Sequence, residues 1–425
     1  MLSDVGRRAS RPDDFLQRHL VLGIVTLIPM GILSIKGHAN IDAGIVLSVL
    51  VAPITLRTTL HSQIPRRLLA LLLVATACGP ALTVLATTTA RGVDRAIEIQ
   101  TLFLALSLCA AIPSVFWSAV KSGWATTLNA FALGAIVQGA LDHTTWSGDP
   151  WKYVFAWPVT ALVLPKRGWG TRSRLYGIAL AFALMLVSIA FDYRSFAGCL
   201  VGAVAIGVMA SRHSSVRVRS VANVGMVCLV GIGLYFGGSY AATHGFLGHS
   251  IQLTSQEQTA SGQTLLIGAR PEFGAGVALF ASRPIGFGPG VIPSEDDIAI
   301  AKDGLSDLGG ATTGTFVDQF LLGDHIELHS IVWDLWVDFG LIGLAAGLYL
   351  AWLCVRLLLG AVADQRAAPI VLLALGLSAL WDVFFSPLGN LMMDLVALLA
   401  LLGFLSRPQQ MKAQRGEAPA ELRHL

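Results

Sequence analysis

Residues 68–86 read LLALLLVATACGPALTVLA, without a single charge. Hydrocarbon offers a backbone no water to bond. An apolar run of about twenty residues therefore satisfies itself as a membrane-crossing helix. Such runs recur along the whole chain, at roughly 20–35, 41–56, 68–86, 97–117, 123–142, 151–165, 175–192, 195–211, 220–243, 329–350, 368–386 and 388–406. Only 13% of the residues are charged and 54% are hydrophobic. A soluble domain carries about a quarter charged residues. The pattern excludes a soluble protein. It predicts an all-α polytopic membrane protein with about twelve transmembrane helices, the last two sharing a tight turn near Pro387. The first residues are polar and basic, and no small-residue cleavage site follows the first run, so no cleavable signal peptide is predicted.

Cytoplasmic loops are enriched in Lys and Arg, which tests the span count. With the N-terminus inside, 21 of the 29 basic residues fall on the cytoplasmic side and 8 outside, and every inside loop carries at least one. Twelve spans with both termini inside satisfy this pattern. The predicted organisation is a cytoplasmic segment 1–19, nine helices over 20–243, a long external loop 244–328, three helices over 329–406 and a polar cytoplasmic tail 407–425. The net charge of +3 identifies no partner beyond the lipid bilayer, and nothing points to nucleic acid. Cys78, Cys109, Cys199, Cys228 and Cys354 all lie in apolar runs without CxxC spacing, so they read as small buried hydrophobes.

The loop 244–328 is long for a compact protein, and loops of that length are usually functional or disordered. Apolar stretches such as GVALFA (276–281) predict that it folds. It holds ten acids against three bases, a net charge of −7, so Arg270 and Arg283 stand out. They either neutralise neighbouring acids or bind an anion. Pro271 is suited to opening a helix at its first turn. The turn GFGPG (286–290) does not fit a phosphate-cradling loop or a dinucleotide fingerprint. Its glycines read as permitting tight backbone geometry.

Ionisable groups gather at one level. Asp192 and Arg194 lie in the hairpin FDYRSF (191–196), His329, Asp334 and Asp338 at the start of the tenth span, and Asp382 and Asp394 beside the last turn. A transporter more often carries such groups at the bilayer midplane among broken helices. The outer-face clustering points to a site at the membrane surface. Arg194 either snorkels or pairs with Asp192, or it binds phosphate with a planar fork that stays charged. HIELH (325–329) is not the zincin pattern. On a helix its histidines would share a face and Glu327 would point away. His329 is therefore the candidate base, since imidazole titrates near neutrality. His325 reads as an exposed loop residue, and Trp333 and Trp336 as interface anchors.

These residues resemble the O-antigen ligase and polymerase superfamily of bacterial membrane glycosyltransferases. Three features carry the resemblance: Arg194-Ser195 at an external hairpin, GAR (268–270) with PIGFGPG (284–290), and His329 leading a helix that reaches FGLIG (339–343). The motifs cover mainly 190–200 and 265–345. Two departures stand out: Ser330 follows the histidine where the family often has Asn, and SEDDIAIAKDGLSD (294–307) lies outside the pattern. The resemblance implies metal-independent, inverting transfer of a glycan from a polyprenyl diphosphate to a saccharide or glycolipid acceptor, at the external face of the bacterial inner membrane and without a cofactor. By position Arg194 and Arg270, with Arg283 in second rank, would hold the diphosphate. His329 would be the catalytic base, and Ser330 and Asp334 would support it. Polymerase-type chain extension is the alternative. A secondary transporter or flippase is a rival class, and a non-catalytic envelope scaffold is another.

Overall fold

A computed structural model describes residues 12–35, 39–142, 149–166, 171–210, 233, 237–241, 243–246, 248–249, 252–253, 255–256, 270–363 and 368–414. Among the described residues the fold is helical apart from one small antiparallel hairpin and a single β-bridge between Val93 and Val291. In order the main helices are α1 (Pro12–Leu27), α2 (Ala43–Leu50), α3 (Ala52–His61), α4 (Gln63–Thr88), α5 (Arg95–Ser118), α6 (Trp124–Leu141), α7 (Ala156–Val163), α8 (Thr171–Ala190), α9 (Arg194–Ala210), α10 (Glu272–Ser282), α11 (Glu295–Asp307), α12 (Ile331–Ala363), α13 (Ile370–Phe385) and α14 (Leu391–Gln414). The hairpin pairs β1 (Gly31–Ile35) with β2 (Ala39–Asp42).

Four described helical runs are long and apolar enough to cross a membrane: Gln63–Thr88, Arg95–Leu141, Ile331–Ala363 and Leu388–Ser406. A fifth appears if α2 and α3, bent by 76°, count as one span. The chain thus has the long apolar helices of a membrane protein. The predicted twelve runs map onto these helices unevenly. The first becomes α1, which ends at Leu27 and passes into the hairpin, where Pro29 and Gly31 oppose helix. Those at 175–192, 195–211 and 368–386 correspond to the shorter apolar helices Leu175–Ala190, Arg194–Val208 and Ile370–Phe385. The ninth, 220–243, lies mostly outside the described residues. Helix α14 continues through Gln414, so the predicted tail boundary at 407 falls inside a helix.

Two hydrophobic cores result. The larger is built from the apolar helices, with α4 against α12, α12 against α13, and α13 between α9 and α14. The smaller joins α10 and α11 to the head of α12 through Leu279, Phe287, Leu305, Val317 and Trp336. It shows that the described part of the predicted loop, 270–328, is folded, as its apolar stretches required. Trp336 is fully buried there and Trp333 nearly so, each edge-on to Phe280 or Phe273. They are core residues, not the interface anchors predicted, because Phe273, Phe280 and Phe287 supply aromatic partners from the loop.

The two cores meet at Gly340. Its backbone (φ 67°, ψ −152°) is not helical and splits α12 into Ile331–Phe339 and a longer second half. A break leaves a carbonyl without its helical donor. Here Val337 O accepts instead from the backbone N–H groups of Phe287 and Gly288, both at 2.9 Å. The GFGPG turn therefore seats in the break. Gly288 (φ 105°) lies against α4 so closely that a Cβ would come 2.4 Å from Thr83 N. This is the tight geometry the glycines predicted.

Candidate functional site at the head of helix α12

Each charged group is delivered by a helix end. Helix α8 stops where Asp192 adopts left-handed backbone (φ 49°), a conformation Asp tolerates better than most residues. Tyr193 N–H donates to Ser188 O and Asp192 N–H to Ile189 O, the paired bonds of a Schellman stop. The chain then enters α9 at Arg194. The Arg194 guanidinium pairs with Asp192 at 3.1 Å and donates to Ser255 Oγ at 3.2 Å. The pairing with Asp192 weighed from the sequence is thus present, and with Asp192 largely exposed it is a weak tie.

Arg270 precedes Pro271, and α10 begins at the next residue, as the proline predicted. The Glu272 carboxyl is buried at this end, and its Oε2 has no hydrogen bond. Burial pushes its pKa up, while the nearby Arg270 and His329 charges pull it down without cancelling the rise. Arg270 also acts through space on the Tyr193 hydroxyl and on the Asp382 carboxyl. Segments near 193, 270, 329 and 382 therefore converge. Arg283 does not join them. It lies at the other end of α10, about 17 Å away along an eleven-residue helix at 1.5 Å per residue. There its Nε donates to Gly286 O at 2.8 Å, and its guanidinium lies over Phe287 beside Arg91. Burial and the Arg91 charge both lower its pKa.

Residues 322–330 are not helical, so His325 and His329 share no helical face. Glu327 instead sits between them, 3.5 Å from His325 Nε2 and 3.7 Å from His329 Nδ1. Burial would raise the Glu327 pKa, but the His325 interaction and both imidazole charges hold it below its usual value. Glu327 in turn raises the pKa of His325, which is only partly exposed. The His329 backbone is left-handed (φ 50°), and the Phe316 ring meets its imidazole edge-on. Ser330 is buried and donates to Val383 O at 3.5 Å, so its hydroxyl ties α12 to α13. Asp334 makes no bond to the imidazole. Its carboxylate accepts from Leu328 N–H at 2.7 Å and Leu388 N–H at 3.0 Å, fixing the backbone just before His329.

Comparison with protein families, curated proteins and solved structures finds no match. The chemistry available is set by the groups themselves. An imidazole beside a carboxylate can accept a proton. Guanidinium groups at the start of α9 and before α10 can hold an anion. The Asp382 carboxyl faces that of Asp394, whose oxygens are buried. Among the described residues, no three His, Cys, Asp or Glu side chains converge as metal ligands. Glu272 and Glu327 were missed as site residues. For Glu327 a signal existed: in an extended stretch alternate residues share a side, which puts His325, Glu327 and His329 together.

Proposed function

We propose that this chain is a membrane glycosyltransferase that moves a polyprenyl-diphosphate-linked glycan to a saccharide or lipid-saccharide acceptor. In this reading it has twelve spans, both termini are cytoplasmic, and the site faces outward in the bacterial inner membrane. The supporting observation is that His329, beside Glu327 at the head of α12, and Arg270, before α10, both act on one buried carboxyl, Glu272, with Phe273 packed edge-on against Trp333 between the two segments. His329 takes the acceptor hydroxyl proton. The hydroxyl oxygen bonds to the anomeric carbon as that carbon's bond to the diphosphate breaks. The electron pair leaves with the polyprenyl diphosphate, whose charge Arg194 and Arg270 stabilise as it develops. Ligation to a finished glycolipid and extension of a growing chain use the same step.

A second reading, a proton-coupled transporter, draws on one feature. Asp382 and Asp394 form a buried carboxyl pair between α13 and α14, and buried acids in such helices commonly mark proton pathways. Reconstitution in sealed vesicles with a lipid-diphosphate-linked glycan separates the two. Glycan transfer that is lost in both His329→Ala and Arg270→Ala supports the enzyme. Undiminished transfer in both variants rejects the site. Proton-driven flux without transfer favours the transporter. Loss of transfer on adding a chelator would bring back a two-histidine metal site.

A further inference from the structure

We propose that Glu327 is a positioning residue that holds His329 in the Nδ1–H tautomer and so leaves the Nε2 lone pair free for the acceptor hydroxyl. The assignment of the acceptor rests on the glycosyl-transfer reading; the tautomer does not. Three observations carry it. First, His329 Nδ1 is buried and has no hydrogen-bond partner, and its neighbouring anion is Glu327 Oε1 at 3.7 Å. That separation is longer than a hydrogen bond, but such contacts are often long before substrate binds and tighten with it. Second, the side chain as a whole is 27% exposed although Nδ1 is covered, so the exposure lies elsewhere on the residue. Third, the surroundings fix the ring. The left-handed backbone at His329 is strained and persists only where neighbours determine it. Asp334 supplies that constraint through Leu328 N–H, and Phe316 closes against the ring edge.

Glu327 is itself held. Its N–H donates to Leu321 O at 3.0 Å, and its Oε2 faces His325 Nε2 at 3.5 Å. The order His325, Glu327, His329 puts one oxygen of the carboxylate toward each imidazole. Further acids act on this group from α12, from α10 and from the stretch before α12. Asp334 and Asp338 act on Glu327, Asp338 and Asp324 on His325, and Glu272 on His329. The competing cation is His325, which faces Oε2 and leaves Oε1 turned toward His329.

The test uses the full-length protein, labelled with 15N-histidine, in nanodiscs at a pH where the ring is neutral. The wild type is expected to show Nδ1 protonated and Nε2 bare at His329. Glu327→Gln is expected to move the ring toward the Nε2–H form that free imidazole prefers. Nε2–H already present in the wild type, or an unchanged tautomer in Glu327→Gln, overturns the proposal. If Glu327→Gln does not fold, the wild-type spectrum alone decides. In the transfer assay Glu327→Gln is expected to lower kcat by about a hundredfold with little change in KM. Glu327→Asp should recover part of kcat. A loss confined to KM counts against positioning. Wild-type protein without any transfer defeats the glycosyl-transfer reading and leaves the tautomer result standing by itself.

Discussion

The two ends of α10 are built on opposite principles. At the Arg283 end almost every polar group is paired. Arg91 makes two parallel bonds to Asp297, at 2.9 and 3.0 Å, and Asp297 closes a capping box with Ser294 at the start of α11. The GFGPG turn completes the broken α12, and Trp336 Nε1 donates to Pro284 O. At the Arg270 end, Glu272 Oε2 and His329 Nδ1 are buried without a hydrogen bond, and His329 has left-handed backbone. Leaving a buried polar group unpaired costs about 1–3 kcal/mol. One end therefore holds the loop core together, and the other keeps bonding capacity unused, as a reactive site requires.

The sharpest way to break this contrast is to remove groups from the unsatisfied end. His329→Ala and Arg270→Ala are each expected to cut transfer by about 10²–10⁴-fold while thermal unfolding moves by a few degrees at most. A large fall in melting temperature would make that end structural and end the contrast. The opposite pattern is expected at the paired end. Arg91→Ala leaves the buried Asp297 carboxylate unpaired and should cost about 3 kcal/mol of unfolding free energy, with turnover per folded molecule unchanged. Denaturant melts read alongside specific activity separate these outcomes.

The same clasp predicts a pH dependence. Burial pushes the Asp297 pKa up, but the Arg91 and Ser294 hydrogen bonds outweigh this and hold it below 3.8. Its contribution is therefore present above pH 3.8 and lost as pH falls through the lower folded value. Acid unfolding curves of Arg91→Ala should lack that component. A smaller loss, about 1–3 kcal/mol, is expected for Gly288→Ala, whose Cβ would strike Thr83 N and whose φ of 105° disfavours alanine. An unchanged melting temperature there would mean that the turn does not brace α12.

The smallest effect has the opposite sign. The Glu272 carboxyl is held above 4.5 by burial, so between 4.5 and its folded value the folded protein binds more protons than the unfolded chain. Stability then falls as pH rises through that window. Glu272→Gln should add about 1 kcal/mol at pH 7 and nothing at pH 4, read from melts at the two values. A destabilised Glu272→Gln at neutral pH would show that this carboxylate is paired after all.

Much of this was legible from pattern. Uncharged runs announced helices, Pro271 announced α10, and the glycines of GFGPG announced a tight backbone, because each is a local consequence of residue type. The prominence of Arg270 and His329 was legible because cations in an acidic loop and ionisable groups beside apolar runs are conspicuous. What failed was orientation. As a helix HIELH would point Glu327 away, but the chain there is not helical and Glu327 lies between the histidines. Arg194 looks equivalent to Arg270 as a letter, and Arg283 ranks only just below them. Only the fold shows Arg194 paired with Asp192, and only the length of α10 moves Arg283 to the far cluster. Trp333 and Trp336 resembled interface residues because their partners, Phe273, Phe280 and Phe287, come from some fifty residues away.

The interruption at Gly340 has a mechanical consequence. Its first nine residues, Ile331–Phe339, pack on α10 and the GFGPG turn as well as on the larger core, while the buried apolar side chains of the remainder of α12 lie in the larger core. A rigid rod of thirty-three residues would transmit every tilt of its far end to His329 with the leverage of its full length. A rod cut at Gly340 does not. The histidine's station is set where the head of α12 meets the loop core, α13 and the Leu388 N–H, and not by the angle of the long half alone.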